Sequence, residues 1–283
     1  MFFALFGTIF VLQQHLQFVL GYDALEAGSR LLPVATVVLA APLAARMSER
    51  VGTKAVVTAG LVVVTTGLWL VSRVDAVDGY APIAWSLAVL GLGIGAAMAP
   101  TTASVMGSVP LAKAGVGSAM NDTTRQVGGA LGVAVLGSVL SSSYRDAIAP
   151  ALAGLPSQAA AAAHDSLGAA LGVAGRLGAA GDTLAQAARG AFVDAMGDVA
   201  LVAAAAALLG ALVTLVLLPA RAPQPLPDVD LATAAGTLDR TEQVGEIERL
   251  PTNEDLAVDA RLRPSATGAG REGEGARFER PGH

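Results

Sequence analysis

The amino-acid sequence has little charge, few aromatic residues and no cysteine at all. The lack of cysteine excludes disulfides and thiolate metal sites. Charged residues make up 14% of the 283 positions, and twenty of the 41 lie after residue 219. The sequence also lacks a phosphate-binding loop, a metal-ligand cluster and a nucleophile with its base. We therefore expect no enzyme activity, no cofactor, no metal site and no nucleic-acid partner.

Long apolar runs fill the part of the chain that is poor in charge. Hydrophobic residues make up 53% of the sequence, and its mean hydropathy is +0.58. A helix of about 20 apolar residues crosses the roughly 30 Å hydrocarbon core of a bilayer. The runs are too long, and too rich in alanine and leucine, for barrel strands. The sequence therefore predicts an all-α integral membrane protein with a six-helix transmembrane bundle over residues 1–218. The predicted spans cover residues 1–20, 30–47, 55–73, 82–106, 117–140 and 196–218.

The basic residues in the short loops predict the orientation of the spans. The loop after the second span holds Arg46, Arg50 and Lys54 against one acid, Glu49, and the turn before the fifth span holds Lys113. The loops after the first and third spans are richer in acid. Because Lys and Arg are enriched in cytoplasmic loops, we expect a multi-pass protein of the cell membrane with both termini in the cytoplasm.

The first apolar run begins directly at Met1. It lacks the basic flank and the small-residue cleavage site of a secretory signal peptide. The run therefore predicts a membrane span. Its abrupt start also leads us to expect that upstream sequence is missing.

Two segments lie outside the six spans. Residues 141–195 are predicted to form a long outward loop, with one helix capped by Ser157 and another capped by Asp182. A seventh span over residues 158–180 is the alternative. Three ionisable residues and four glycines argue against that span: His164, Asp165, Arg176, Gly168, Gly172, Gly175 and Gly178.

The C-terminal segment, residues 219–283, opens with three prolines and continues with mixed charge and few aromatic residues. This composition cannot bury a core, so it predicts a disordered cytoplasmic tail.

Residues 85–140 combine apolar helices with glycine, proline and polar side chains. The pairs Gly91/Gly95 and Gly128/Gly132 each lie four residues apart, so each pair shares a helix face and predicts close helix packing. Pro100 removes a helical hydrogen bond and predicts a kink, which acts either as a hinge or only shapes the bundle.

A polar cluster opens the fifth span near its cytoplasmic end: Asn121, Asp122, Arg125 and Gln126. Asp122 and Arg125 are three residues apart, close enough to pair. Asp122 is a better candidate proton carrier than Asp198, but its shallow position and an adjacent arginine favour a capping and gating role.

The first span carries four polar residues in its middle and outer part: Gln13, Gln14, His15 and Gln17. Polar groups at membrane depth are costly when they face lipid. We expect them to form a cavity wall that binds substrate, with His15 able to titrate near neutral pH. The alternative is hydrogen bonding between helices.

The sequence resembles the major facilitator superfamily at the loop from Ala45 to Lys54. The charged loop of that family reads G-x-L-A-D-R-x-G-R-K. Glu49 occupies its acidic position, Arg50 its arginine, Gly52 its second glycine and Lys54 its last basic position, while other positions differ. The resemblance implies a cytoplasmic gating loop. The residues alone favour the alternative, an ordinary positively charged cytoplasmic loop.

Three further stretches resemble the fourteen-helix drug:proton antiporter branch of that superfamily, the EmrB/QacA type. They are QFVLGYDALEAG from Gln17, GLGIGAAMAP from Gly91, and VPLAKAGVGSAMNDTTRQVGGALGVAVLG from Val109. The resemblance covers about residues 1–218 and implies the C-terminal six-helix half of a proton-coupled multidrug exporter. It further implies amphipathic drugs and protons as ligands, coupling acids in the N-terminal half, and a missing N-terminal bundle or a second copy as partner.

Other classes of function stay open at this point. The chain could be a non-transporting membrane remnant, a scaffold or a regulatory subunit. It could also transport another small solute.

Overall fold

The computed structural model describes residues 1–110, 113–178 and 181–218, and the predicted tail, residues 219–283, lies outside that part of the chain. All regular elements in the described part are helical. Six of these helices are long and apolar enough to cross a membrane. The predicted all-α bundle of six spans is therefore confirmed. The helices are Phe2–Val19, Ala24–Val51, Thr53–Val71, Tyr80–Gly107, Ala114–Leu152 and Gly181–Leu217.

The first two spans are not uniform α-helices. Helix α1 (Phe2–Gln14) continues as a π-helical turn, His15–Val19, and the second span joins α2 (Ala24–Ser29), the 3₁₀ turn Leu32–Thr36 and α3 (Val37–Val51). The remaining helices are α4 (Thr53–Val71), α5 (Tyr80–Gly107), α6 (Ala114–Ile148), α7 (Ser157–Asp165), α8 (Leu167–Leu177) and α9 (Gly181–Leu217).

Helices α4 and α5 pack backbone to backbone through glycine. A Cβ atom on Gly60 would lie 2.9 Å from the carbonyl oxygen of Gly93, and one on Gly93 would lie 2.5 Å from the amide nitrogen of Val64. On another side of α5, Gly91 and Gly95 contact the second span, where a Cβ on Gly95 would lie 2.5 Å from the carbonyl oxygen of Val37. The predicted packing role of Gly91 and Gly95 is confirmed.

Helices α1 and α6 cross at Gly132. A Cβ atom on Gly132 would collide with the carbonyl oxygen of Phe3, and one on Gly7 would lie 2.8 Å from the carbonyl oxygen of Gly132. Gly128 is less crowded, because a Cβ there would lie 3.6 Å from the Cβ of Phe2. Close packing is therefore confirmed for Gly132, whereas Gly128 has room for a side chain.

Helix α9 completes the bundle through small residues. Ala195, Ala203 and Ala207 are at most 1% exposed, and the helix packs against both α4 and α6. Alanine allows close approach without the conformational cost of glycine. The leucines on the other side of α9 stay exposed, including Leu209 and Leu212, as expected for a lipid-facing surface.

The helices extend further out of the predicted membrane region than the apolar runs indicate. Helix α6 continues to Ile148 and α9 begins at Gly181, so the connection between them is shorter than the predicted loop 141–195. Asp182 lies in the first turn of α9, and Ser157 is the first residue of α7 without a capping hydrogen bond. Both residues therefore lie inside their helices, and neither is the N-cap that the sequence predicted.

Two short helices, α7 and α8, occupy the place of the alternative seventh span. The chain turns sharply at Ser166, whose hydroxyl accepts a hydrogen bond from the amide of Ala169 at 3.3 Å and caps α8. The Tyr144 hydroxyl donates to the carbonyl of Ala163 at 3.1 Å and fastens α7 to α6. Between residues 153 and 178 the structure therefore has no helix of spanning length.

Candidate functional site

The four polar residues of the first span divide between two faces. Gln13, Gln14 and Gln17 are half-buried, whereas His15 is completely buried. Successive residues of a helix are about 100° apart, so His15 lies roughly opposite Gln13 and Gln17. The structure thus separates His15 from the predicted cavity wall. The binding role of the three glutamines stays a prediction.

The face that carries the glutamines also carries exposed aromatic rings. Phe6 and Phe10 are 48% and 42% exposed and lie on the same side of α1 as Gln13 and Gln17. The Phe10 ring lies 3.7 Å from the position of a Cβ on Gly137 of α6. We name this surface, formed by Phe6, Phe10, Gln13 and Gln17, the Phe–Gln face.

The opposite side of α1 buries polar atoms inside the bundle. Thr8 Oγ1 and both ring nitrogens of His15 are buried without a hydrogen-bond partner among the described residues. On the Phe–Gln face, Gln13 Oε1 is buried without a partner as well. An unmade hydrogen bond to a buried group costs about 1–3 kcal/mol. Thr8 also lines a small, otherwise apolar pocket with Val71 of α4 and Met196 of α9.

The π-helical turn ends the first span at the end away from Met1. The Leu20 amide donates to the carbonyl of His15 at 3.1 Å, a bond that spans five residues. The Phe18 carbonyl instead accepts a longer hydrogen bond from Arg189 Nε of α9, at 3.4 Å. Arg189 therefore helps to satisfy a carbonyl group that the helix end leaves free.

The polar cluster at the start of α6 is centred on Arg125. Its guanidinium donates to the hydroxyl of Thr102 on α5 at 2.9 Å and lies 5.1 Å from the ring centre of Phe2 on α1. Arg125 thereby joins three helices. Asn121 is half-buried, and Gln126 is exposed.

The expected ion pair between Asp122 and Arg125 is not formed. In the described part of the chain, the ion pair within 4.0 Å joins Arg145 and Asp165, at 3.2 Å. Asp122 is exposed, while Arg125 points to Thr102. The hydroxyl of Thr102 attracts the guanidinium from a neighbouring helix, and spacing along α6 alone does not reveal this partner. Thr102 and Phe2 are thus the residues that the sequence reasoning missed.

The charged loop between α3 and α4 is a very tight turn. Gly52 is the single residue between the two helices, and its backbone has φ 94° and ψ 148°, a conformation that side chains disfavour. Its amide donates to the carbonyl of Ser48 at 3.0 Å. Glu49 and Arg50 are exposed, Lys54 is half-buried, and none of the three forms an ion pair within the described residues.

Pro100 is buried within α5, which continues across it without interruption. The hydroxyl of Thr101, the next residue, donates to the carbonyl of Ala97 at 2.7 Å. The kink predicted at Pro100 stays a prediction.

The end of the bundle opposite the Gly52 turn carries an aromatic cluster. The Arg30 guanidinium lies 3.7 Å from the ring centre of Tyr22 and 5.1 Å from that of Tyr80, whose hydroxyl donates to the Arg30 carbonyl at 2.6 Å. Trp69 and Trp85 are 48% and 72% exposed. Such exposure is typical of aromatic residues at a membrane interface.

Comparison with known proteins identifies the apolar part of the chain. Residues 1–133 match the model of the Major Facilitator Superfamily. The multidrug efflux pump LfrA of Mycolicibacterium smegmatis is 36% identical over 211 residues, which are 74% of this chain and 42% of that protein. The methyl viologen resistance protein SmvA of Salmonella typhimurium is 32% identical over 192 residues, 67% of this chain and 38% of that protein.

A third relative comes from another genus. The tetracenomycin C resistance and export protein of Streptomyces glaucescens is 32% identical over 221 residues, 75% of this chain and 41% of that protein. The chain thus spans about two fifths of the length of these relatives. Together with the six apolar helices, the matches support a multi-pass membrane protein that is similar to transporters.

Proposed function

We propose that the chain, whose residues 1–133 match the model of the Major Facilitator Superfamily, forms the C-terminal six-helix bundle of a multidrug exporter. The observation that carries this proposal is the combination of six spans with matches to about two fifths of relatives that are named for efflux or resistance. In such an exporter the substrate binds between two bundles and leaves as the bundles rock.

The finer assignment is to the fourteen-helix drug:proton antiporter branch. The long stretch from Val109 to Gly137 supports it, because this stretch resembles that branch most specifically. Proton coupling belongs to the same assignment, with the coupling acids in the N-terminal bundle. Asp122 then serves at a gate instead of carrying the proton.

The Phe–Gln face is the proposed wall of the drug path. Aromatic rings offer apolar contact to amphipathic drugs, and the side-chain amides of Gln17 and, apart from its buried Oε1, of Gln13 offer hydrogen bonds. Polar groups at this depth are costly next to lipid, so the face needs a cover. An N-terminal bundle or a second copy of the chain would provide that cover and enclose the path.

Two groups of residues are the proposed cytoplasmic gates. The tight turn around Gly52 joins α3 and α4, and its charged residues Glu49, Arg50 and Lys54 are available for pairing with another bundle. The second gate is the cluster of Asn121, Asp122, Arg125 and Gln126, with Pro100 as a hinge in the adjacent helix α5. Both groups lie at the end of the bundle that we assign to the cytoplasm of the cell, because its loops are basic.

A fusion protein tests this proposal in cells. The part of LfrA that precedes its region of similarity would be joined to residues 1–218 of this chain. The fusion is expected to raise resistance to cationic drugs, and the same fusion with Gln13 and Gln17 replaced by leucine is expected to lose that resistance while reaching the membrane in equal amount. A folded fusion without any resistance would favour a non-transporting remnant or scaffold.

A further inference from the structure

The boundary between α1 and α6 carries polar side chains on both helices. The two helices run in the same direction, because the contacts between them advance together along both sequences. One of these contacts places the Phe10 ring 3.7 Å from the position of a Cβ on Gly137. Gln14 lies four residues beyond Phe10, and Ser141 lies four residues beyond Gly137. Since residues four apart share a helix face, Gln14 and Ser141 lie at one level of the boundary.

Gln14, Gln17 and Ser141 have free hydrogen-bonding capacity. All three residues are half-buried, and none of them forms a side-chain hydrogen bond within the described part of the chain. Gln17 follows Gln14 by three residues, so the two amides are neighbours on the first span. Amides and hydroxyls both donate and accept hydrogen bonds, and they are costly next to lipid. We call these three residues the Gln–Ser group.

The parts of the two helices around the Gln–Ser group are uncharged. Residues 2–22 and 126–144 contain no Asp, Glu, Lys or Arg, and His15 is buried inside the bundle. The uncharged run of α6 lies between two arginines, Arg125 and Arg145. A cation bound here would lose water without gaining a carboxylate from these runs. An uncharged oxygen-bearing group would instead gain hydrogen bonds, and the Phe10 ring adds apolar contact for an aromatic system.

We infer that the Gln–Ser group binds the hydroxyl or carbonyl oxygen of an uncharged aromatic compound. The ring of that compound packs beside Gly137 and Phe10, where the missing side chain of the glycine leaves room. Its oxygen accepts hydrogen bonds from the two glutamine amides, and Ser141 supplies a further donor or acceptor. The inference rests on the proposed export function and specifies its substrate class. This bundle selects the oxygen-bearing aromatic part of a drug, and the acids proposed for the N-terminal bundle match any positive charge.

Protection of a single thiol in the purified full chain tests the inference. The sequence has no cysteine, and G137C places one thiol beside the Phe10 ring, where a side chain has room. Modification of this thiol by a small methanethiosulfonate would be followed in detergent, with naphthalenemethanol, methylnaphthalene or naphthalenemethylammonium as the protecting compound. Free concentrations would be corrected for uptake by empty micelles. We expect naphthalenemethanol to protect at about tenfold lower concentration than the other two compounds, a ratio typical of one or two net hydrogen bonds.

The variant Q14L/S141A, made in the G137C chain, should lose this preference because it removes two of the three polar partners. The matched control S142A/Q186L removes an exposed serine of α6 and an exposed glutamine of α9 and should keep the preference. Circular dichroism would verify folding, and the comparison of the three compounds in G137C alone does not depend on the variants. The inference is overturned if naphthalenemethanol protects no better than the other two compounds, or if its preference survives in Q14L/S141A. The measurement needs no transport, so its failure is distinct from a failure of the LfrA fusion to confer resistance.

Discussion

Single glycines determine how closely the membrane helices of this bundle approach one another. At Gly132 the backbone of α6 meets the backbone of α1, and at Gly93 the backbone of α5 meets that of α4. Such contacts replace the hydrophobic effect, which does not drive helix association inside lipid. A methyl group at such a crossing must push two helices apart.

The substitution G132A should therefore destabilise the bundle. The new methyl group would collide with the carbonyl oxygen of Phe3, and overpacking of this kind costs about 1–3 kcal/mol. G137A on the same helix meets only the edge of the Phe10 ring, at 3.7 Å, so its unfolding free energy should stay within about 1 kcal/mol of the wild type. Unfolding of the full chain in detergent, followed by circular dichroism, measures the unfolding free energies of both variants. An equal loss of stability in G132A and G137A would contradict the close crossing of α1 and α6 at Gly132.

Arg125 is the residue whose partners decide how the start of α6 is held. Its guanidinium binds Thr102 of α5 and lies over Phe2 of α1, while Asp122 remains exposed. A gate at this position would work by forming and breaking contacts between helices, and not by an ion pair within one helix.

A double-mutant cycle distinguishes these two partners of Arg125. T102V and R125Q should show a coupling energy of about 1 kcal/mol, because each removes the same charged hydrogen bond. D122N and R125Q should be additive within about 0.5 kcal/mol. Unfolding free energies of the single and double variants in detergent provide both numbers. Strong coupling of Arg125 to Asp122, without coupling to Thr102, would contradict the hydrogen bond to Thr102 and support the ion pair that the spacing predicts.

At the scale of elements, the connection between α6 and α9 is built as a helical cap. Helices α7 and α8 bury Ala163, Leu167 and Ala170, and α8 packs against α9. The ion pair between Arg145 and Asp165 is 45% and 75% exposed at its two side chains, so it adds little to stability. Buried apolar contact therefore holds the cap on the bundle.

Cysteine labelling tests on which side of the membrane this cap lies. Because the sequence contains no cysteine, an introduced cysteine is the single thiol that the reagent can label. Gly172 of α8 and Gly115 at the start of α6 both have open space for a side chain. In intact cells a membrane-impermeant maleimide should label G172C and not G115C, and permeabilised cells should show labelling of both. The reverse pattern would invert the proposed orientation.

The sequence predicts some features of these elements well and others poorly. Apolar runs near 20 residues reveal the six spans, because their length reflects the thickness of the membrane. Helix ends such as Ile148 and Gly181 are less predictable, since helices continue into water where apolar periodicity no longer marks them. The partner of Arg125 is 23 residues away on another helix, so no local spacing could indicate it. The prediction that His15 shares one wall with Gln13 and Gln17 overlooked helical geometry, which places residues two apart on nearly opposite sides of a helix.

At the scale of the whole molecule, one surface of the bundle is unsuited to lipid. The Phe–Gln face presents Gln13 and Gln17 at membrane depth beside Phe6 and Phe10. By contrast, the exposed side chains of α9 between residues 201 and 217 are all apolar. This asymmetry supports the proposal that the chain works against a second bundle.

Dye export from membrane vesicles tests the need for that second bundle most directly. Inside-out vesicles containing the chain alone, or the chain fused to the N-terminal part of LfrA, would receive a proton gradient, and uptake of a fluorescent cationic dye would be followed. The account predicts gradient-dependent uptake for the fusion, loss of that uptake when the gradient is collapsed, and none above empty vesicles for the chain alone. Gradient-dependent uptake by the chain alone would contradict the proposal that it is one half of a transporter.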